Sequence, residues 1–248
     1  MALVLVVLAP WLLSAYENGL PNVLTPSALD PVSLELRFEH RFTGSITDNP
    51  LGTAFGLAGG ANVYMGARLA VWRGLEAGVG YAMGPREASA CLGYTQSLAF
   101  LRGSAGAELV TFEQAAGGRA WGGLFSLALQ TTPLGGFLVP SLLVCFDTSS
   151  LSFGGAVGVL ASFPVALGPV EKIGFTAELY PNLALSLAGL PPEPAPAVAF
   201  GVTVATPGHQ FSLLLGNSVE FGSRSLMHGS PGDGWYLGFN IRRLLPFG

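Results

Sequence analysis

The sequence predicts an all-β protein, a closed antiparallel transmembrane β-barrel of about 12 strands, with 10 or 14 as the neighbouring even counts. Three observations carry this. In Val32–Thr43 (VSLELRFEHRFT), Val32, Leu34, Leu36, Phe38, His40 and Phe42 alternate with Ser33, Glu35, Arg37, Glu39, Arg41 and Thr43. Successive side chains of a strand point to opposite faces, so this is one apolar and one charged face. Wound as a helix, the four charges would scatter to two opposite sides, each step of two residues turning about 200°. Second, Lys and Arg number 11 and Asp and Glu 15, so 10% of the 248 residues are charged, against roughly 25% in soluble domains. With a mean hydropathy of +0.52, that composition points to a membrane. Third, short and long connections alternate along the chain, as in outer-membrane barrels.

The elements follow in order. Met1–Leu13 (MALVLVVLAPWLL) is apolar, ends in Ser14-Ala15 and is too short for a comfortable spanning helix. Residues 1–15 are therefore expected to be a signal peptide that is removed. Residues 16–31, polar and Pro-punctuated, are expected to be a periplasmic lead-in, and residues 32–248 a single barrel domain. After the first strand and the loop Gly44–Gly59, Ala61–Trp72 turns Val63, Met65, Leu69 and Val71 outward and Asn62, Tyr64 and Arg68 inward. Arg73-Gly74 makes a two-residue turn, and Leu75–Met83 returns with Val79 and Tyr81 outward and Glu76 inward, a hairpin by pattern. The same grammar places strands at Ala88–Leu101, Ser104–Phe112, Arg119–Gln130, Gly136–Phe146, Leu151–Phe163, Val170–Tyr180, Ala197–Ala205, Gln210–Asn217 and Trp235–Arg243. The short connections are Arg73-Gly74, Arg102-Gly103, Thr132–Leu134, Leu167–Pro169 and Thr206–Gly208. The others include Gly44–Gly59, Glu113–Gly118, Pro181–Pro196 and Ser218–Gly234, with Gly84–Glu87 and Asp147–Ser150 as short members. An even strand count leaves both termini on the periplasmic side.

Trp72, Tyr94, Phe112, Trp121, Phe146, Tyr180 and Trp235 fall near strand ends, where an interfacial aromatic girdle would put them. The rival architecture is a bundle of membrane helices. No charge occurs between Asp147 and Glu171, and Gly154 and Gly158 have the spacing of a helix-packing pair. Pro133, Pro140, Pro164 and Pro169 chop those apolar stretches, and the period-two charges favour the barrel.

Several pieces together carry a family resemblance: Arg37–Phe42 (RFEHRF), the hairpin Ala67–Gly80 around WRGLEAG, and Thr176–Pro181 (TAELYP). The tail adds Gly208–Ser212 (GHQFS), Gly216–Ser218 (GNS) and Gly234–Arg243 (GWYLGFNIRR). From about Val32 to Phe247 the chain resembles the membrane-bound β-barrel family known only as domain of unknown function 5777. The resemblance implies an integral outer-membrane barrel of Gram-negative bacteria; membrane lipid and the barrel-assembly machinery are the expected partners of such a barrel. It implies no activity and brings no catalytic or binding residues.

Motifs that would carry chemistry are sparse. A net charge of −4 gives no basic footprint for nucleic acid. Cys91 and Cys145 are far apart and outside any metal-ligand spacing, so they read as separate thiols, with a disulfide as the alternative. His40, His209 and His228 lack carboxylates or thiols at ligand spacing, so no metal and no cofactor is expected. His228 and Ser230 lie close in a Gly/Pro loop, the one hint of a lipid hydrolase, and the chain is read as no enzyme. The candidate site is a lumen-facing charged network: Glu35, Arg37, Glu39, Arg41, Arg68, Glu76, Glu108, Lys172, Glu178 and Arg242. Five acids against five bases cancel. One reading is a salt-bridged brace; the other is a selectivity lining for a small polar solute. The preferred function is a narrow pore or passive transporter for small solutes. The alternative is a non-conducting structural or adhesion barrel whose long loops bind a partner.

Overall fold

The computed structural model describes residues 19–26, 29–114, 117–181, 185–186, 195–230, 232 and 234–247. The expected signal peptide lies outside these. The strands in order are β1 (Ser33–Phe42), β2 (Ala61–Trp72), β3 (Leu75–Ala82), β4 (Glu87–Leu98), β5 (Leu101–Glu113), β6 (Arg119–Thr131), β7 (Leu138–Asp147), β8 (Ser152–Leu167) and β9 (Val170–Tyr180). A two-residue strand, β10 (Leu185–Ser186), adds to β8 beside Phe153 and Ser152. Then follow β11 (Ala197–Thr206), β12 (His209–Gly216) and β13 (Tyr236–Pro246), with a five-residue helix, α1 (Gly222–Leu226), in the loop before β13.

Twelve of these strands form the wall, β1 to β9 and β11 to β13, each antiparallel to its neighbours. β13 returns to β1, from Ser33 opposite Pro246 to Arg41 opposite Gly238, and closes the barrel. Closure pairs the backbone groups that an open edge would leave bare in lipid. One end of the barrel carries the two-residue turns Arg73-Gly74, Ala99-Phe100, Gly168-Pro169 and Pro207-Gly208 and the six-residue connection after β6; the other carries the long loops and the four-residue connections after β3 and β7.

The two-beat pattern is visible strand by strand. On β6, Trp121, Phe125, Leu127 and Leu129 face outward and are exposed, while Leu124, Ser126, Ala128 and Gln130 are buried inside. Asn62 is buried at the inner face of β2, where Met65, Leu69 and Val71 are exposed outside. The uncharged stretch between Asp147 and Glu171 is strand β8 and its turn into β9, and β7 and β8 pair along it. Two turns differ from expectation: after β6 the chain reverses at residues 135–137, past the expected Thr132–Leu134, with Leu134 bridged to Leu138. Arg102 and Gly103 are in β5, opposite Ser97 and Gln96, and the chain reverses at Ala99-Phe100 instead. Ala99 takes up a left-handed backbone, φ 46°. A tight hairpin needs such a residue, and here it is one that turn propensity does not flag.

The core lies off the barrel axis. Leu143 and Cys145 of β7, Ala156 and Leu160 of β8, and Leu124 and Ala128 of β6 turn inward. They pack against Leu20 and Val23 of the N-terminal segment and Leu226 and Met227 of the β12–β13 loop. The lead-in, expected to be periplasmic, runs inside the wall over residues 19–26. The physical reason is that β7 and β8 are apolar on both faces, so their inner face needs an apolar filler to exclude water. Gly154 and Gly158 make the seats. A Cβ on Gly154 would meet the Met227 side chain at 2.8 Å, and one on Gly158 would run into Leu20.

Candidate functional site

The inserted N-terminal segment is held by the wall largely through its backbone. The Gln210 amide donates to the Gly19 carbonyl at 3.3 Å, and Arg242 Nη2 donates to the carbonyls of Leu20 and Pro21, both at 3.0 Å. Asn240 Nδ2 also donates to Pro21, at 3.1 Å. At the apex, Glu178 accepts from the backbone amides of Asn22 (2.9 Å) and Val23 (3.2 Å) and from Asn22 Nδ2 (2.6 Å). Arg41 Nη2 donates to Asn22 Oδ1 at 2.7 Å, and the Tyr180 hydroxyl donates to the Asn22 carbonyl at 3.1 Å. Gln210 lies near the short-turn end and Glu178 near the long-loop end, so the segment climbs much of the lumen. Near the short-turn end again, the Leu29 amide donates to Glu76 at 2.6 Å.

Around it the ten charged residues of the sequence reading separate into groups. Glu35, fully buried, bridges Arg37 (2.6 Å) and Arg68 (3.3 Å), and Arg68 reaches Glu76 at 3.0 Å. These four form one network on β1, β2 and β3. Glu39 lies 3.9 Å from Arg41 and 4.0 Å from Arg242. Glu178 belongs to the N-terminal anchor. Lys172 stands near the short-turn end, opposite Pro164 and Ala205, and away from the others. Glu108 faces the lumen from the middle of β5, near Ser89. Gly238 is what admits Arg41: a Cβ there would meet Arg41 Cδ at 2.6 Å.

The long-loop end is covered by α1 and its flanks. Arg224 Nε donates to Glu87 Oε2 at 2.9 Å, its guanidinium lies 4.3 Å over the Phe112 ring, and Asp147 is 3.8 Å away. Thus α1 is tied to β4, β5 and β7 across the mouth. In the same loop, burial and the nearby Glu87 carboxylate push the Glu220 carboxyl upward, with Arg224 opposing. Two girdle expectations change here: Phe112 faces inward under Arg224, and Tyr180 is buried at the segment's apex. Trp72, Tyr94 and Trp121 stand exposed on the outer face.

The His228/Ser230 pair is separated. Ser230 Oγ donates to the Asn217 carbonyl. His228 Nε2 instead meets Asp147 Oδ2 at 3.2 Å and Ser150 Oγ at 3.4 Å, both through one ring nitrogen. A hydrolytic triad engages the two ring nitrogens separately. Among the described residues no three His, Cys, Asp or Glu side chains gather as a metal site. Both cysteines are free, Cys145 buried in the apolar core and Cys91 on the lumen side of β4.

The half of the lumen opposite the core is hollow. A cavity of about 200 Å³ runs along β2 to β6. Its lining includes Ser89, Cys91, Ser104, Glu108 and Ser126, with Arg37, Tyr64, Arg68 and Glu76 beside them. It extends from Glu87 and Arg224 near the long loops to Glu76, Thr95 and Ser104 near the short turns. Small inward residues leave this space, including Gly93 and Gly106. The signal for the two unlike halves was present in the sequence as the apolar inward positions of β7 and β8.

No protein-family model matches the chain, and no curated protein does. Solved structures do match. The KdgM porin superposes with a TM-score of 0.50 at 10% identity, over 86% of this chain and 98% of its own. LpxR from Salmonella typhimurium gives a TM-score of 0.50 at 13% identity, over 87% of this chain and 100% of its own. At such identities the likeness concerns architecture, and the chain has the fold of the outer-membrane β-barrels.

Proposed function

We propose that the protein is an integral outer-membrane barrel of Gram-negative bacteria that passes small polar solutes through an off-axis channel along β2 to β6. Membrane lipid surrounds its apolar belt, the barrel-assembly machinery inserts it, and the resemblance to the family of unknown function 5777 is part of the reading. The observation that carries it is the cavity of about 200 Å³, lined from near one end of the wall to near the other, with Arg37, Arg68, Glu76, Glu108 and several serines set among apolar groups. The N-terminal segment and α1 fill the remainder, so the conduit is far narrower than the water channels of 16-stranded porins. A passive role is favoured over hydrolysis because Ser230 is committed to the Asn217 carbonyl and, among the described residues, no carboxylate orients His228 from its second nitrogen. The experiment is planar-bilayer recording with proteoliposome swelling on the refolded protein. Small discrete currents, with permeation of glycerol-sized solutes and exclusion of disaccharides, are expected. Absence of both current and swelling overturns the reading.

One observation favours a second reading, a barrel whose loops dock a partner. Leu51, Phe55 and Leu57 are exposed together on the first long loop, and large apolar groups on such a loop suit a binding surface. Replacing all three by Ser without any loss of surface binding counts against it.

A further inference from the structure

The charges along the passage are compensated almost throughout. Arg37 and Arg68 share Glu35, Arg68 also holds Glu76, Arg224 holds Glu87, and Arg242 lies beside Glu39. Glu108 differs. It projects into the cavity between Ser89 and Ser126, opposite Cys91 and Leu124 in register. Its carboxylate lies near Ser89, and no Lys, Arg or His among the described residues forms an ion pair with it. Arg224 and Arg37 act on it only at longer range, and each is already engaged by another carboxylate. Lys172, the base that balanced the count in the sequence, is on β9 near the short turns, outside this lining.

We infer that Glu108 makes the passage selective for small cations, alkali-metal or ammonium ions. This rests on the passage reading and deepens it. An uncompensated carboxylate in a narrow lumen with low-dielectric walls concentrates counter-ions and repels anions. The opposed charges elsewhere cancel locally and leave this residue to set the sign. The adjacent Cys91 thiol makes the local potential measurable without any current.

Two measurements test it. In a KCl gradient the wild-type reversal potential should report potassium favoured several-fold over chloride. Glu108→Gln should bring that ratio toward one with the current retained, and Glu108→Asp should restore it. A Glu108→Gln channel that keeps the wild-type ratio overturns the inference. Separately, Cys91 in the folded protein should react about ten times faster with a positively charged methanethiosulfonate than with a negatively charged one. Glu108→Gln should equalise the rates. Equal rates in the wild type overturn the inference whether or not the protein conducts. Absence of current with unequal rates removes the passage and keeps the cation-attracting site.

Discussion

Glu178→Ala separates the inserted segment from the wall that holds it. The carboxylate is buried and accepts three hydrogen bonds, at 2.9, 3.2 and 2.6 Å, from Asn22 and Val23. Each bond to a charged group contributes about 1.5–3 kcal/mol, and their loss leaves buried amides unsatisfied. Stripping one side of a buried charged contact costs about 3–5 kcal/mol, which sets the whole effect because the three bonds are not independent. The wall itself is spared: at this position β9 pairs with Gly158 and Ala199 through backbone. The cost therefore falls on docking of residues 19–26. At one decade per about 1.4 kcal/mol, the undocked population should rise from about a hundredfold to a few thousandfold. Hydrogen exchange with mass spectrometry should show lost protection in that segment with β6 to β9 unchanged, and bilayer currents should grow as the filled half opens. Unchanged protection and current, or loss of the wall together with the segment, would rule out Glu178 as the anchor of residues 19–26.

Other perturbations address the remaining parts. Leu143→Ala removes a fully buried side chain from the cluster holding Leu20 and Met227; it should cost about 2–5 kcal/mol and lower the thermal unfolding temperature. Glu35→Ala leaves Arg37 and Arg68 without their shared carboxylate, which should destabilise the folded barrel by about 3–5 kcal/mol in urea titrations. Leu142→Arg puts a charge on the lipid-facing side of β7 and should cost about 2–4 kcal/mol in bilayers. In the loop, the raised Glu220 carboxyl binds its proton more tightly docked than free. The docked loop thus holds more protons above pH 4.5, so acidification through the carboxylate range should tighten it and reduce current. Glu220→Gln should abolish that pH dependence.

The wall was legible because lipid on one side and a polar lumen on the other impose period two, and Glu35 to Arg41 spell it without ambiguity. Reading β7 and β8 was harder. Leu142, Leu143, Val144 and Cys145 are a continuous apolar run, which is ambiguous between a helix and a strand buried on both faces. Its resolution lies outside the strands, in Leu20, Val23, Leu226 and Met227 arriving from sequence-distant segments. Residues 19–26 have neither strand nor helix periodicity, and the hydrogen bonds that hold them are mostly to backbone, which no side-chain pattern records. The charged face was readable as inward, whereas its pairing was not. Equal numbers of acids and bases imply neutrality, yet Lys172 and Glu108 lie in different parts of the barrel. The hairpin at Ala99-Phe100 was hidden because Arg102-Gly103 has the stronger turn composition.

A half-filled barrel with its conduit against β2 to β6 is tested most directly by blocking that half alone. A bulky uncharged maleimide coupled to Cys91, which the lumen exposes while Cys145 is buried, should abolish single-channel current in the wild type and leave a Cys91→Ser channel unaffected. Current that persists at full amplitude after complete modification of Cys91 would place the conduit elsewhere in the barrel.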